Sequence, residues 1–196
     1  MGPKKGNGGR CGSAAFLTWH WMQILITEAD EKRYLELQQM ALDFARQGEV
    51  ESLQSMVRHG LPVNLADAKG NTLLMLACYN GQVDTARMLL QEGAEVDRRN
   101  DHGQTPLGGV AFKGYPEIAA LLLECGADID ADNGVGMTPI MFAAMFGRTE
   151  MVEQLRTHGA SLRRRNRLGL SARWFVGLSQ LAGKLLRRLR TRPSTA

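Results

Sequence analysis

The residues best suited to chemistry in this chain are His59, His102, His158, the cysteines at 11, 78 and 125, and an alternating run of Asp128, Asp130 and Asp132. Spacing speaks against each group as a reactive or metal centre. The three cysteines show no C-x-x-C pair, which fits neither a zinc site nor a disulfide framework and points to a reducing compartment. The aspartates alternate as in a calcium loop, yet the downstream glycine and bidentate glutamate are missing. Gly134-Val135-Gly136 has no helix-borne lysine behind it, so a phosphate loop is not supported. His59 and His158 occupy one register of a repeating pattern, three units apart. Helices stacked at about 8–10 Å would separate them by about 25–30 Å, too far to share a metal. Placed just before a closing glycine, they read as polar groups at helix C-termini. No nucleophile–base pair emerges, and the expectation is a non-enzyme without cofactor, metal or small-molecule substrate.

The elements that carry these residues are set by a period of 33. Gly70, Gly103, Gly136 and Gly169 are spaced so, as are Thr72, Thr105, Thr138 and Ser171, and two further glycine series run from Gly48 to Gly147 and from Gly60 to Gly159. The unit from Asn100 to Asp132 shows why each repeat is a pair of helices. Thr105 offers a hydroxyl to first-turn amides, and Pro106 loses no hydrogen bond at the first helical position. Gly114 interrupts, and Pro116-Glu117 opens a second helix whose face is Ile118, Leu121, Leu122 and Cys125. Gly126 stops it. Such a unit cannot cover its own apolar face, so it must stack on neighbours.

Three stretches, GNTLLMLAC from Gly70, GQTPLGGVA from Gly103 and GMTPIMFAA from Gly136, resemble the ankyrin repeat family over about residues 34–178. The resemblance implies an all-α fold: an ankyrin-type helix-turn-helix solenoid with β-turn fingers. Full repeats are expected at 67–99, 100–132 and 133–165, between a degenerate N-terminal cap unit at 28–66 and the start of a C-terminal cap at 166–178. Thr27 with Asp30 is the expected N-terminal cap, and Tyr34, Leu37, Ala41 and Phe44 form an apolar stripe on the first helix. The family often has a histidine that bonds neighbouring turns; Met75, Gly108, Met141 and Trp174 stand in its register.

Four residues beyond that register come Tyr79, Phe112 and Met145, which, by resemblance, face the concave groove. Extended by Phe146, they either form an apolar ridge for a protein partner or pack between repeats. Finger residues Lys69, Asn71, His102, Gln104 and Met137 flank them. The expected function is therefore non-catalytic protein binding, as a scaffold, adaptor or inhibitor, by a cytoplasmic monomer. Asp97, Asp128, Asp130 and Asp132 form an acidic edge that suggests a basic partner.

Charge divides the chain sharply. Its net +4 conceals that all 20 acidic residues lie within 28–159, while residues 160–196 carry ten lysines and arginines and no acid. Arg163, Arg164, Arg165, Arg187, Arg188 and Arg190 support an alternative function at an anionic membrane or nucleic-acid surface. The competing expectation, which we favour, is a basic capping helix over 179–196 in which Leu178, Leu181, Leu185 and Leu189 close the stack. Residues 1–27 read as a disordered or mis-started leader. Their apolar run is broken by Thr18, His20 and Gln23 and followed by no cleavage site, unlike a signal peptide. No run of 18 apolar residues suggests a membrane-spanning helix.

Overall fold

A computed structural model of the chain describes residues 27–179 and 181. Leader residues 1–26 and the arginines at 187, 188 and 190, with Leu185 and Leu189, lie outside the described residues. Two compact units are present, 1–39 and 40–196.

In the first unit, the described residues belong to the start of α1 (Glu28–Gln47). Its cap is reciprocal: the Asp30 amide donates to Thr27 Oγ1 at 3.2 Å, and the Thr27 amide donates to the Asp30 carboxylate at 3.1 Å. The expected apolar stripe is not buried along its length. Tyr34, Leu35 and Leu37 are exposed, and burial starts at Ala41.

The second unit continues from the end of α1 through α2 (Val50–Arg58), α3 (Leu73–Tyr79), α4 (Val83–Gln91), α5 (Pro106–Lys113), α6 (Pro116–Glu124), α7 (Pro139–Met145) and α8 (Thr149–Thr157); residues 172–179 are again helical. Helices α3, α5 and α7 pack side by side as one layer, and α2, α4, α6 and α8 form the other. Between them Leu74, Ala77, Cys78, Leu107, Val110, Ala111, Ile140 and Ala143 are fully buried against Leu53, Leu89, Ile118, Leu122 and Leu155. Helices of seven to nine residues are too short to persist alone. Their stability comes from this shared core.

Local chemistry fixes several helix ends. Thr72 and Thr105 accept from the amides of Met75 and Gly108 at 3.1 and 3.2 Å, as expected for N-caps, whereas Thr138 makes no such bond. At the other end of the pair, Gly126 takes a left-handed φ of 87°, letting the Ala127 amide reach back to the Leu122 carbonyl at 3.0 Å. The second helices have no side-chain caps. Instead, the residue before each reaches the repeat behind it: Gln82 Nε2 donates to the Arg46 carbonyl at 3.0 Å, and Arg148 Nε donates to the Phe112 carbonyl at 3.2 Å.

Two leucines of the expected closing stripe are not buried at the C-terminal side of the described residues. Ala172 and Phe175 are buried, whereas Leu178 and Leu181 are exposed. Among the described residues, the first turn of this last helix supplies the side chains that join the core.

Candidate functional site

Each finger is a tight turn organised by one side chain. Asp67 accepts from the amides of Lys69 and Asn71 at 2.9 and 3.0 Å. Asn100 accepts from those of His102 and Gln104 at 3.0 and 2.9 Å. Asn166 repeats the pattern with Leu168 and Leu170. Partial burial opposes the charge of Asp67. The amide of the Asn71 side chain, the two backbone amides and nearby Arg46 outweigh it and hold the Asp67 pKa below the ordinary carboxylate value.

The third finger departs from this. Asp132 accepts from the amides of Gly134 and Gly136 at 2.9 and 2.8 Å, and Gly134, Val135 and Gly136 all have positive φ. Asn133 is thereby released and turns back into the second repeat. Its Oδ1 accepts from the Thr105 amide at 2.7 Å and from Thr105 Oγ1 at 3.0 Å, while its Nδ2 donates to the Ala131 carbonyl at 2.9 Å. A Cβ on Gly108 would lie 2.0 Å from Asn133 Oδ1. Glycine at 108 therefore makes room for Asn133, not for the Phe112 ring. The space beside the aromatic ridge comes from Gly109, whose Cβ would touch Tyr79 Cδ2 at 3.3 Å.

Hydrogen bonds between fingers stand where the family often has a bracing histidine. The first and second fingers are joined by Asp101 N–H to the Lys69 carbonyl at 3.1 Å and by Asn100 Nδ2 to Asn71 Oδ1 at 2.9 Å. The third and fourth are joined by Arg167 N–H to the Val135 carbonyl at 3.0 Å. Across the middle junction, Asn133 and Arg99 provide the links, the latter donating to the carbonyls of Gly103 and Asp132.

Fingers and inner helices together enclose a groove of about 420 Å³. Lys69, Asn71, Asn100, His102 and Gln104 line it from the fingers, and Tyr79, Phe112, Met145 and Phe146 from the helices, over a floor that includes Met75, Leu76 and Phe142. The aromatic ridge is continuous. The rings of Tyr79 and Phe112 are parallel within 5° at 6.2 Å, and Phe112 meets Phe146 edge-on at 4.4 Å. Lys113 Nζ sits 4.3 Å above the Tyr79 ring, a cation–π contact that holds the first ring in place. Tyr79, Met145 and Phe146 remain 42%, 41% and 46% exposed, so they do not simply thicken the core. The register before them does: Met75 and Met141 are buried.

A match to the family model described as ankyrin repeats (three copies) extends over residues 37–133 and 107–172. The chain belongs to the ankyrin repeat family. It is also similar to an ankyrin repeat protein of Pseudomonas aeruginosa, at 50% identity over 38 residues, or 19% of this chain and 22% of that relative. The chain thus matches about a fifth of that protein's length. Ankyrin repeat proteins typically act in protein–protein interaction and are generally non-catalytic.

Within this ankyrin repeat protein, Tyr79, Phe112, Met145, Phe146, Lys69, Asn71, His102 and Gln104 converge on one groove. Met137 does not. It is buried, with its sulfur accepting from Asn166 Nδ2 at 3.2 Å, because the altered third turn places it beneath the fourth finger. The acidic edge is also not free. Asp97 accepts from the Asp128 amide at 2.8 Å, Asp128 from Asp130 at 3.0 Å, and Asp130 from Ser161 at 3.2 Å. These carboxylates fasten consecutive turns together, and the groove lining contains no acid. The acidic edge therefore lies apart from the groove lining and serves the turns as well as the surface charge. His59 and His158 donate from Nδ1 to the carbonyls of Ser55 and Gln154 at 2.7 and 2.8 Å, closing their own helices. Among the described residues, no three His, Cys, Asp or Glu side chains are grouped to hold a metal ion, and no helix is long and apolar enough to cross a membrane.

Sequence reasoning missed Asn133 and Gly109. The signal for Asn133 was present, since glycine at both 134 and 136 permits a turn the other fingers cannot make.

Proposed function

We propose that this ankyrin repeat protein binds a protein partner in the groove between its first two fingers and α3, α5 and α7, acting as a monomeric scaffold, adaptor or inhibitor. The observation that carries this reading is the half-exposed ridge of Tyr79, Phe112, Met145 and Phe146 beside a lining that has Lys69 and His102 but no carboxylate. Aromatic side chains supply rigid contact area at small entropic cost and dominate interface energetics, while the flexible methionine adapts to the partner's shape. The Gln104 side chain adds polar contact at the rim, while the Asn71 and Asn100 amides are engaged within and between the fingers. A complementary partner presents an apolar side chain for the ridge with a carboxylate or amide beside it for Lys69 and Gln104.

Site-specific photocrosslinking tests the reading. A benzoylphenylalanine at Met145 should capture a discrete partner that the same probe at Glu124, exposed at the end of α6, does not. Tyr79→Ala should weaken that complex by roughly 30-fold, the effect of removing an interface anchor of about 2 kcal/mol. Capture from both positions alike, or an unchanged affinity for Tyr79→Ala, would remove the groove as the site.

A further inference from the structure

The tips of the third and fourth fingers combine features that the groove does not use. Leu168 is 76% exposed at the turn of a finger bounded by the Arg165–Ser171 bridge, the most exposed of the large apolar side chains among the described residues. Val135 is 56% exposed at the neighbouring tip, and the Arg167 amide bonded to its carbonyl holds the two tips together. Val135 also has a left-handed φ of 51°. A β-branched residue is strained there, whereas glycine or asparagine would be at ease. The chain thus holds an aliphatic side chain in water against both its solvation and its backbone preference.

From residue 160 onward every charged side chain is positive. Arg163, Arg165 and Arg167 are exposed and have no ion-pair partner among the described residues. Arg164 donates to the Asp130 carbonyl at 3.0 Å, which anchors the base of the same segment. The carboxylates of Asp130 and Asp132, at the base of the third finger, accept from the amides of Ser161 and of Gly134 and Gly136, and no acidic residue follows Glu153 in the sequence.

We propose that Val135 and Leu168, flanked by Arg163, Arg165 and Arg167, dock this protein on an anionic lipid surface. The arginines meet lipid phosphates and carboxylates, and the two aliphatic tips enter the headgroup–acyl boundary, where exposed apolar groups gain burial. A nucleic acid would satisfy the arginines but leave the aliphatic tips in water, and the segment 163–168 offers no aromatic ring for a base to stack on. The site is separate from the groove, so it stands or falls independently of the partner proposed there.

The test is vesicle flotation of the full chain with phosphatidylcholine containing about 30% phosphatidylserine, against phosphatidylcholine alone, at about 50 mM salt where surface attraction is weakly screened. Binding is expected to the anionic vesicles alone. Exchanging the three arginines for glutamine should lower the partition coefficient about 100-fold, near fivefold for each charge. Leu168→Ser should lower it about tenfold with unchanged helicity. In Leu168→Trp, the difference emission against the wild type should shift to shorter wavelength on anionic vesicles. A variant carrying Arg187→Gln, Arg188→Gln and Arg190→Gln should keep that shift. The proposal is overturned by absence of binding to anionic vesicles, by wild-type partitioning of the finger-arginine variant, by loss of the tryptophan shift in the Arg187/Arg188/Arg190 variant, by an unshifted tryptophan on bound protein, or by a single-stranded RNA that displaces the protein from the vesicles.

Discussion

Replacing Gly108 by alanine is the sharpest test of how the second and third repeats are joined. Glycine here lies inside a helix at ordinary negative φ, so propensity alone predicts that alanine stabilises by up to about 1 kcal/mol. The structure predicts the opposite. The new Cβ would stand 2.0 Å from Asn133 Oδ1 and 2.5 Å from its Cγ, and the side chain that must move is 4% exposed. Displacing it strips the buried Thr105 amide of its acceptor, at about 1–3 kcal/mol, and loses a further hydrogen bond from Thr105 Oγ1, at about 1 kcal/mol. After the propensity gain, Gly108→Ala should be destabilising by about 1–3 kcal/mol in urea unfolding at constant slope. In an Asn133→Ala background the same substitution meets no side chain and should stabilise by up to about 1 kcal/mol. The change of sign between backgrounds is the decisive readout. If Gly108→Ala stabilises the wild type, or costs equally in both backgrounds, the linkage through Asn133 is not what holds the junction.

Three further outcomes are expected. The Asp67 pKa is depressed in the fold, so its contribution to stability is complete above the unfolded value near about pH 4 and is lost as pH falls below it. Unfolding midpoints measured through that window should decline less steeply for Asp67→Asn than for the wild type, and equal slopes would contradict the assigned role. Cys78 is wholly buried and burial pushes its thiol pKa up, whereas Cys125 is exposed. A thiol reagent should label Cys125 in the native protein and Cys78 only at the rate of unfolding. Val135→Asn should raise stability by about 1 kcal/mol through relief of the left-handed strain, seen as a rise of about 2–4 °C in the melting temperature.

Much of the fold was legible because its signals are local and repeated. Thr105 before Pro106 fixes a helix start from two adjacent residues, and the period of 33 then says where the same event recurs. The ridge was legible for the same reason, since Tyr79, Phe112 and Met145 share a register. What could not be read depended on contacts that break the period. Met137 occupies the register of Asn71 and Gln104, yet Gly134 and Gly136 permit a different turn that buries it. The aspartates at 97, 128 and 130 look like a free acidic edge in one dimension, and only the fold shows each pointing at the next amide. The stripe on α1 is amphipathic in sequence, but Tyr34 and Leu37 lie on turns where the described structure leaves them exposed.

The Gly108–Asn133 pairing also bears on how such an array can change over generations. Repeat arrays grow and shrink by copying or dropping whole units, which works when any unit can follow any other. Here the second repeat supplies the vacancy and the third supplies the group that fills it. A duplicated copy of repeat 100–132 inserted between them would place Asn133 in the new copy's vacancy, but it would leave the original Gly108 facing the copied Asn100, the counterpart of Asn133 in a finger whose asparagine is committed to its own turn. Units at this junction are therefore inherited as a couple, and the order of the repeats is written into the side chains rather than into the period.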